Sequence, residues 1–294
     1  MNARVFILTL LAMIAFASNS LLCRAALKQT TIDPASFTFV RIFSGALALY
    51  LIVIGRSFFT SHLTRHSSLP AGTWPSAIAL FAYAVGFSFA YVDLSAGTGA
   101  LLLFGAVQAT MILWGFYKGE RLDALQAAGL IIAIAGLIVL VFPGISAPPL
   151  IASILMLIAG IAWGVYSLRG KVRAGRAFDA ITATSGNFVR AVPFAAVLSI
   201  IMFASFHFDR LGFLYAVISG AITSGLGYVI WYAALPGLKA ASAATVQLSV
   251  PVLAAAGGIL SLSEAITLRY VISSVAVLGG ILLVVIEKRR VSQG

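Results

Sequence analysis

The sequence predicts an all-α integral membrane protein of ten transmembrane helices, arranged as two inverted five-helix repeats. Three observations carry that expectation. Hydrophobic residues make up 61% of the 294 and charged residues 9%, with a mean hydropathy of +1.07. A soluble domain is about 45–50% apolar and about 25% charged, so this chain could not cover itself in water. Long stretches carry no charge at all: Val5–Cys23, Ile42–Gly55, Leu94–Tyr117, Ala124–Leu168 and Ala240–Ser263. A helical span needs about 20 apolar residues. Finally, the chain repeats itself, and the repeat contains an odd number of spans.

The spans follow in order. The first, about 4–23, lies between Arg4 and Arg24. Its "AFASNS" has the look of a signal-peptide cleavage site, but the segment has a partner later in the chain and reads as an uncleaved helix. The second, 35–55, follows Asp33, holds Arg41 and stops at Arg56. The third, 75–92, and the fourth, 95–117, end at Asp93 and Lys118. The fifth, 124–142, follows Asp123, and the sixth, 149–168, ends at Arg169. The seventh, 180–205, follows Asp179 and contains Arg190 and Pro193. The eighth, 211–234, follows Arg210; the ninth, 238–261, contains Pro251; the tenth, 268–286, ends at Glu287. Backbone groups in lipid must bond within their own segment, which makes each span a helix. The runs are continuously apolar rather than alternating, which argues against a barrel. Every connection is short, leaving no room for an appended catalytic module.

The halves are 1–144 and 145–294. "GTGALLLFGAV" from Gly97 aligns with "ASAATVQLSVP" from Ala241, and the same offset places Glu120 on Glu264 and Gly136 on Gly280. "FVR" occurs at 39–41 and again at 188–190, and Arg24 falls opposite Arg169. The arginine recurs because the unit recurs. Five spans per unit force the two copies into opposite orientations. Of the 19 Lys and Arg residues, thirteen fall on one side, four (Arg24, Lys28, Arg210, Arg269) on the other, and Arg41 and Arg190 inside spans. The positive-inside rule then places both termini in the cytoplasm of an inner membrane. The net charge of +11 is thus topological, and no nucleic-acid partner is expected. An inverted repeat points to a transporter whose halves rock around a site near mid-membrane.

Several residue types could line that site. All eight carboxylates sit at or beyond span ends, which weakens proton-coupled drug exchange. Tyr83, Phe87 and Tyr91 recur at i, i+4, i+8 on one helix face. Trp163 and Tyr166 lie three apart in the sixth span, and Tyr228, Trp231 and Tyr232 cluster in the eighth. Such rings either line an amphipathic cavity or form an interfacial belt, which would account for Tyr91 and Tyr232. Asn19, Gln108, Ser242 and Gln247 offer amides and a hydroxyl for a zwitterion's head group, or simply bonds between helices. Arg41 and Arg190 either attract a substrate carboxylate or serve structure, snorkelling to headgroups or bonding a neighbouring helix. Their recurrence in both halves favours the structural or gating role. Pro193 and Pro251 favour kinks. Gly129, Ala133 and Gly136 in the fifth span, and Ser273, Val277 and Gly280 in the tenth, read as packing faces within each half or as a dimer seam. The single cysteine, Cys23, excludes an internal disulfide, and His62, His66 and His207 form no metal-binding cluster. No cofactor, metal or catalytic group is expected.

The stretch from Gly225 to Val285 resembles the second repeat of EamA-type transporters of the drug/metabolite transporter superfamily. The likeness lies in the Tyr228/Trp231/Tyr232 run, Ala-Ala-Ser-Ala-Ala, Pro251, and Glu264 before a glycine-rich last span. The first half matches more loosely, with Val107 in place of the proline and Glu120 kept. Within that group the chain is most similar to YddG-type aromatic amino-acid exporters. The resemblance implies a ten-span basket with a cavity lined by spans one, three, four, six, eight and nine. It brings Asn19, Tyr83, Phe87, Gln108, Trp163, Tyr166, Tyr228, Trp231, Ser242 and Gln247 forward as substrate-binding, with Glu264 structural or gating. The expected activity is export of amino acids with aromatic or large apolar side chains, by a monomer or weak homodimer in a lipid bilayer. Rival expectations are exchange of phosphorylated metabolites or nucleotide sugars, and a non-transporting scaffold.

Overall fold

The computed structural model describes residues 3–59, 71–119, 123–144, 146–171, 177–238 and 240–291. Expectations that touch Glu120, Lys239, Arg65, Arg121, Arg173, Arg176, His62 and His66 lie outside the described residues. The elements are α1 (Ala3–Gln29), α2 (Pro34–Phe59), α3 (Trp74–Tyr91), α4 (Ala96–Tyr117), α5 (Ala124–Val141), α6 (Leu150–Lys171) and α7 (Ala177–Ile201). Then come α8 (Arg210–Val217), a π-helical stretch (Ile218–Leu226) and α9 (Gly227–Ala234), which together make the eighth span. The ninth is α10 (Ala240–Gln247) plus α11 (Ser249–Leu262), and α12 (Leu268–Val291) is the tenth. Among the described residues, every regular element is helical and ten helices are long and apolar enough to cross a membrane. This is a multi-pass membrane protein.

Local chemistry starts these helices. Asp33 accepts from the N–H groups of Ala35 and Ser36 at 3.0 and 2.8 Å ahead of α2, with Pro34 as its first residue; the missing N–H of a proline costs nothing there. Thr73 caps α3, Ser95 caps α4, and Asp123 with Gln126 forms a capping box on α5. Helices also run past the apolar segments. α1 continues to Gln29, because Arg24 and Lys28 end the hydrophobic run but not the backbone ladder.

Packing pairs α3 with α6, α4 with α6, α2 with α7, α4 with α11, α5 with α12, and α1 with both α9 and α11. The glycine faces of α5 and α12 are spent on each other. A Cβ at Gly129 would meet the Gly280 carbonyl at 2.6 Å, and one at Gly136 would meet Ala276 and Val277 at 2.8–3.0 Å. They therefore join the fifth span to the tenth, across the chain's halves. Ile131, Ile200 and Leu260 point outward as large exposed apolar side chains, the ordinary surface of a lipid-facing helix.

Two spans depart from a regular helix. Pro251 cannot donate to the Gln247 carbonyl, and the ninth span breaks at Leu248. α7 stays continuous through Pro193. The eighth span widens to a π-helix with no proline in the stretch, along "ISGAITSGL". Gly220 lies there against α2, where a Cβ would overlap the Arg41 carbonyl and the Ser44 hydroxyl.

Candidate functional site

The aromatic residues converge near mid-span. Tyr83 of α3 faces Trp163 of α6 with ring centroids 4.6 Å apart. Trp163 stacks on Tyr228 of α9 at 5.4 Å and on Tyr166 at 5.4 Å. Phe87 continues the row from Tyr83 at 5.3 Å, and Tyr91 meets Phe87 edge-on at 4.7 Å. Tyr232 stacks on Tyr228 at 6.1 Å. Phe16 of α1 lies 6.0 Å from Tyr228 and 6.1 Å from Trp231, and Phe188 of α7 lies 6.2 Å from Tyr228. Rings at these separations attract one another edge-on or offset. They also fill the space between them, so a ligand entering here must part Trp163 from Tyr83 or Tyr228.

The belt explanation fails for Tyr91. It is fully buried, and its hydroxyl donates to the Ala96 carbonyl at 3.3 Å. Tyr232 is half-buried and bonded to Thr184 at 3.4 Å. The i, i+4, i+8 spacing in α3 had already placed the three rings on one face, and that face points inward.

A polar cluster lies against the rings. Asn19 donates through Nδ2 to the Tyr83 hydroxyl at 3.3 Å. Its Oδ1 accepts from Ser219 at 2.7 Å and from Thr223 at 3.3 Å. Ser219 and Thr223 belong to the π-helical stretch, one turn apart. Sequence reasoning missed them and Phe16, although each was legible: Ser219/Thr223 at i, i+4, and Phe16/Asn19 at i, i+3 on one face. Arg41 does not snorkel. It is 4% exposed, its Nη2 donates to the Tyr83 hydroxyl at 2.8 Å, and its guanidinium sits 4.6 Å from the Phe87 ring and 5.2 Å from the Tyr83 ring. Two ring faces and a phenol draw the cation inward.

Arg190 behaves differently. Its Nη1 donates to Gly186 of its own helix at 2.9 Å, and its guanidinium lies 6.0 Å from Trp74, at the start of α3. Trp74 and Tyr83 are nine residues apart on α3, or about 13 Å along the axis. Gln108 is buried in α4 and Gln247 is half-buried at the end of α10; neither bonds to the rings. Ser242 is half-buried near the start of α10.

Both ends of the cluster are tied. Where α1 finishes, Arg24 pairs with Glu264 at 3.1 Å and donates to the carbonyls of Tyr91 and Val92 at 3.0 and 2.6 Å. Glu264 accepts from the Ala96 N–H at 2.8 Å. At the other end, Arg169 donates to Ser76 at 3.2 Å, and Asn187 accepts from the Thr73 N–H at 2.9 Å. Asn187 also donates to the Tyr166 hydroxyl at 3.4 Å. A separate cavity of about 250 Å³ lies beside the Arg24 end, lined by Asp93, Ser95, Thr98, Glu264 and Tyr270 among others. Among the described residues no three His, Cys, Asp or Glu side chains gather as metal ligands.

A family model described as the EamA-like transporter family matches residues 3–142 and 150–286. The chain belongs to the EamA-like transporter family. Its relatives include an uncharacterized protein of Pseudomonas aeruginosa, 52% identical over 284 residues and covering 96% of this chain and 95% of that one. The uncharacterized transporter YoaV of Bacillus subtilis is 22% identical over 85% of this chain and 86% of its own. An uncharacterized transporter of Archaeoglobus fulgidus is 28% identical over 69% and 72%. A crystal structure matches this EamA-like chain with a TM-score of 0.66 over 99% of its length and all of the other chain, at 16% identity, a likeness of fold alone.

Proposed function

We propose that this EamA-like transporter exports amino acids with aromatic or large apolar side chains across the inner membrane, as YddG-type exporters do. The single observation that carries the reading is the Tyr83–Trp163–Tyr228 contact. Three spans, one from the first half and two from the second, put rings at one mid-span point. Asn19, Ser219 and Thr223 set hydroxyls and an amide beside them. Rings suit the side chain of such a substrate, and the polar cluster suits its head.

The halves 1–144 and 145–294 act as inverted units with both termini cytoplasmic. The packing pattern supports this. Exchanging spans one to five with six to ten turns the α3–α6 pair into the α1–eighth-span pair, and leaves α2–α7, α4–α11 and α5–α12 unchanged as pairs. The α5 and α12 glycine faces are used inside the chain, which favours a monomer. Alternating access opens the Arg24–Glu264 tie on the outer side and the Arg169 and Asn187 ties on the inner side in turn. Among the described residues no carboxylate hydrogen-bonds to the ring cluster, which supports facilitated diffusion down the substrate gradient over proton exchange.

Exchange of phosphorylated metabolites has one observation in its favour, the buried Arg41. That reading requires more than one cation at the substrate, and Arg190 stands at the start of α3 instead.

Counterflow in proteoliposomes tests the proposal. Vesicles loaded with unlabelled phenylalanine should accumulate labelled phenylalanine, tryptophan and leucine without a pH gradient. Accumulation of glycerol 3-phosphate but no amino acid would select the exchanger, and no flux of any solute would select the scaffold.

A further inference from the structure

We infer that Arg41 and Tyr83 form the docking point for the substrate's carboxylate. The inference rests on the amino-acid reading above and assigns one of its contacts. It starts from unused donors. Arg41 is buried, yet Nη1 has no hydrogen-bond partner among the described residues. Only Nη2 is engaged, by the Tyr83 oxygen at 2.8 Å. A buried guanidinium nitrogen without an acceptor is costly unless something arrives to accept from it.

The phenol has the same property. Its oxygen already accepts twice, from Arg41 Nη2 and from Asn19 Nδ2 at 3.3 Å. The hydroxyls of Ser219 and Thr223 hold the other end of the Asn19 amide, which keeps it against Tyr83. Arg41 and Asn19 are the phenol's partners among the described residues, so its rotatable O–H can turn to an arriving acceptor. The free Arg41 nitrogen and the free Tyr83 proton thus belong to one bonded unit. A carboxylate has two oxygens and can take one donor with each.

The surrounding charges point the same way. The Glu264 carboxylate is engaged elsewhere, paired with Arg24 and accepting from the Ala96 N–H. Arg41 has ring faces for neighbours instead, 4.6 Å to Phe87 and 5.2 Å to Tyr83. These offset part of the burial but supply no hydrogen-bond acceptor in the guanidinium plane. One cation and one phenol match a single negative charge, not a phosphate dianion. Trp163, its ring 4.6 Å from that of Tyr83, would meet the side chain of a ligand whose carboxylate sits on Arg41.

Binding to the purified full-length protein in nanodiscs tests this by titration calorimetry. The probes are phenylalanine, 3-phenylpropionate (carboxylate without ammonium), phenylalaninamide (ammonium without carboxylate) and glycerol 3-phosphate. In the wild type, phenylalanine should bind more tightly than phenylalaninamide. Arg41→Gln should weaken phenylalanine and 3-phenylpropionate on the order of ten- to hundredfold, the scale of a lost charged hydrogen bond, and leave phenylalaninamide within about twofold. Should Arg41→Gln fail to fold, Tyr83→Phe removes the phenol hydroxyl while keeping the ring and the cation and should weaken the two carboxylates selectively, and Arg41→Lys, which keeps the charge, should retain part of the wild-type affinity.

Equal losses for phenylalanine and its amide would overturn the assignment and leave Arg41 a packing residue, while amino-acid binding itself stood. Binding of glycerol 3-phosphate in preference to either carboxylate, lost in Arg41→Gln, would overturn the monoanion assignment. Binding of 3-phenylpropionate but not phenylalanine, abolished by Arg41→Gln, would uphold the carboxylate dock and overturn the amino-acid reading.

Discussion

Arg41 in α2 and Arg190 in α7 occupy the same place in a repeated "FVR", yet the structure uses them in opposite ways. Arg190 is half-buried, bonds its own helix at Gly186 and reaches the indole of Trp74. Arg41 is buried among Tyr83 and Phe87 with one nitrogen unspent. The difference comes from what each helix packs against. α2 meets the π-helical stretch through Gly45 and Gly220, and that stretch supplies the Ser219 and Thr223 hydroxyls that fix Asn19 on Tyr83. α7 packs against the start of α3, which offers Arg190 the Trp74 indole instead. Equivalent residues in a duplicated unit therefore need not keep equivalent roles; the neighbouring helix decides.

The contrast can be broken most directly by charge removal. Arg41→Gln should lower phenylalanine uptake by about thirtyfold or more, as expected when one member of a buried charged contact is lost. Arg190→Gln should lower it by less than about fivefold, the scale of a half-exposed charge. Equal losses in the two uptake assays would erase the distinction.

The glycine contact sharpens it from the packing side. Gly220→Ala drives a Cβ into the Arg41 carbonyl and should destabilise the protein by about 1–3 kcal/mol, read as a lowered melting temperature in detergent. Gly225→Ala, whose added Cβ has ordinary space at 3.4 Å, should leave the melting temperature nearly unchanged. A smaller effect is expected from the rings. Trp163→Ala should weaken phenylalanine binding by up to about tenfold and leucine binding by less. Smallest is Ser219→Ala, which removes one bond to Asn19 and should cost about 0.6 kcal/mol, a typical hydrogen bond between membrane helices. A Ser219→Ala loss as large as that of Arg41→Gln would mean that the polar cluster, rather than the cation, holds the substrate.

Much of this architecture was legible before any coordinates. The long apolar segments, most of them free of charge, located all ten spans, since a bilayer of fixed thickness demands apolar segments of a minimum length. The 3.6-residue period put Tyr83, Phe87 and Tyr91 on one face. Depth and partner were not legible. Gly129 and Gly280 announced close packing, but nothing in either helix named the other. Arg41 read as a residue able to reach headgroups, because its ring neighbours lie on α3, 42 and 46 residues onward. The π-helical stretch was hidden as well: without proline, "ISGAITSGL" reads as ordinary helix, and its widening accompanies the tight contact of Gly220 with α2. Gln108, Ser242 and Gln247 illustrate the reverse problem. A polar residue in an apolar run looks like a ligand wherever it sits, and the sequence alone does not say which ones reach the rings.

The most direct measurement is a structure of the wild-type transporter with phenylalanine bound. The account predicts the substrate ring between Tyr83, Trp163 and Tyr228, those rings parted to admit it, and the carboxylate at hydrogen-bond distance from Arg41 Nη1 and the Tyr83 hydroxyl. Phenylalanine lodged instead in the cavity beside Asp93, Ser95 and Tyr270, with the ring cluster still closed, would contradict it.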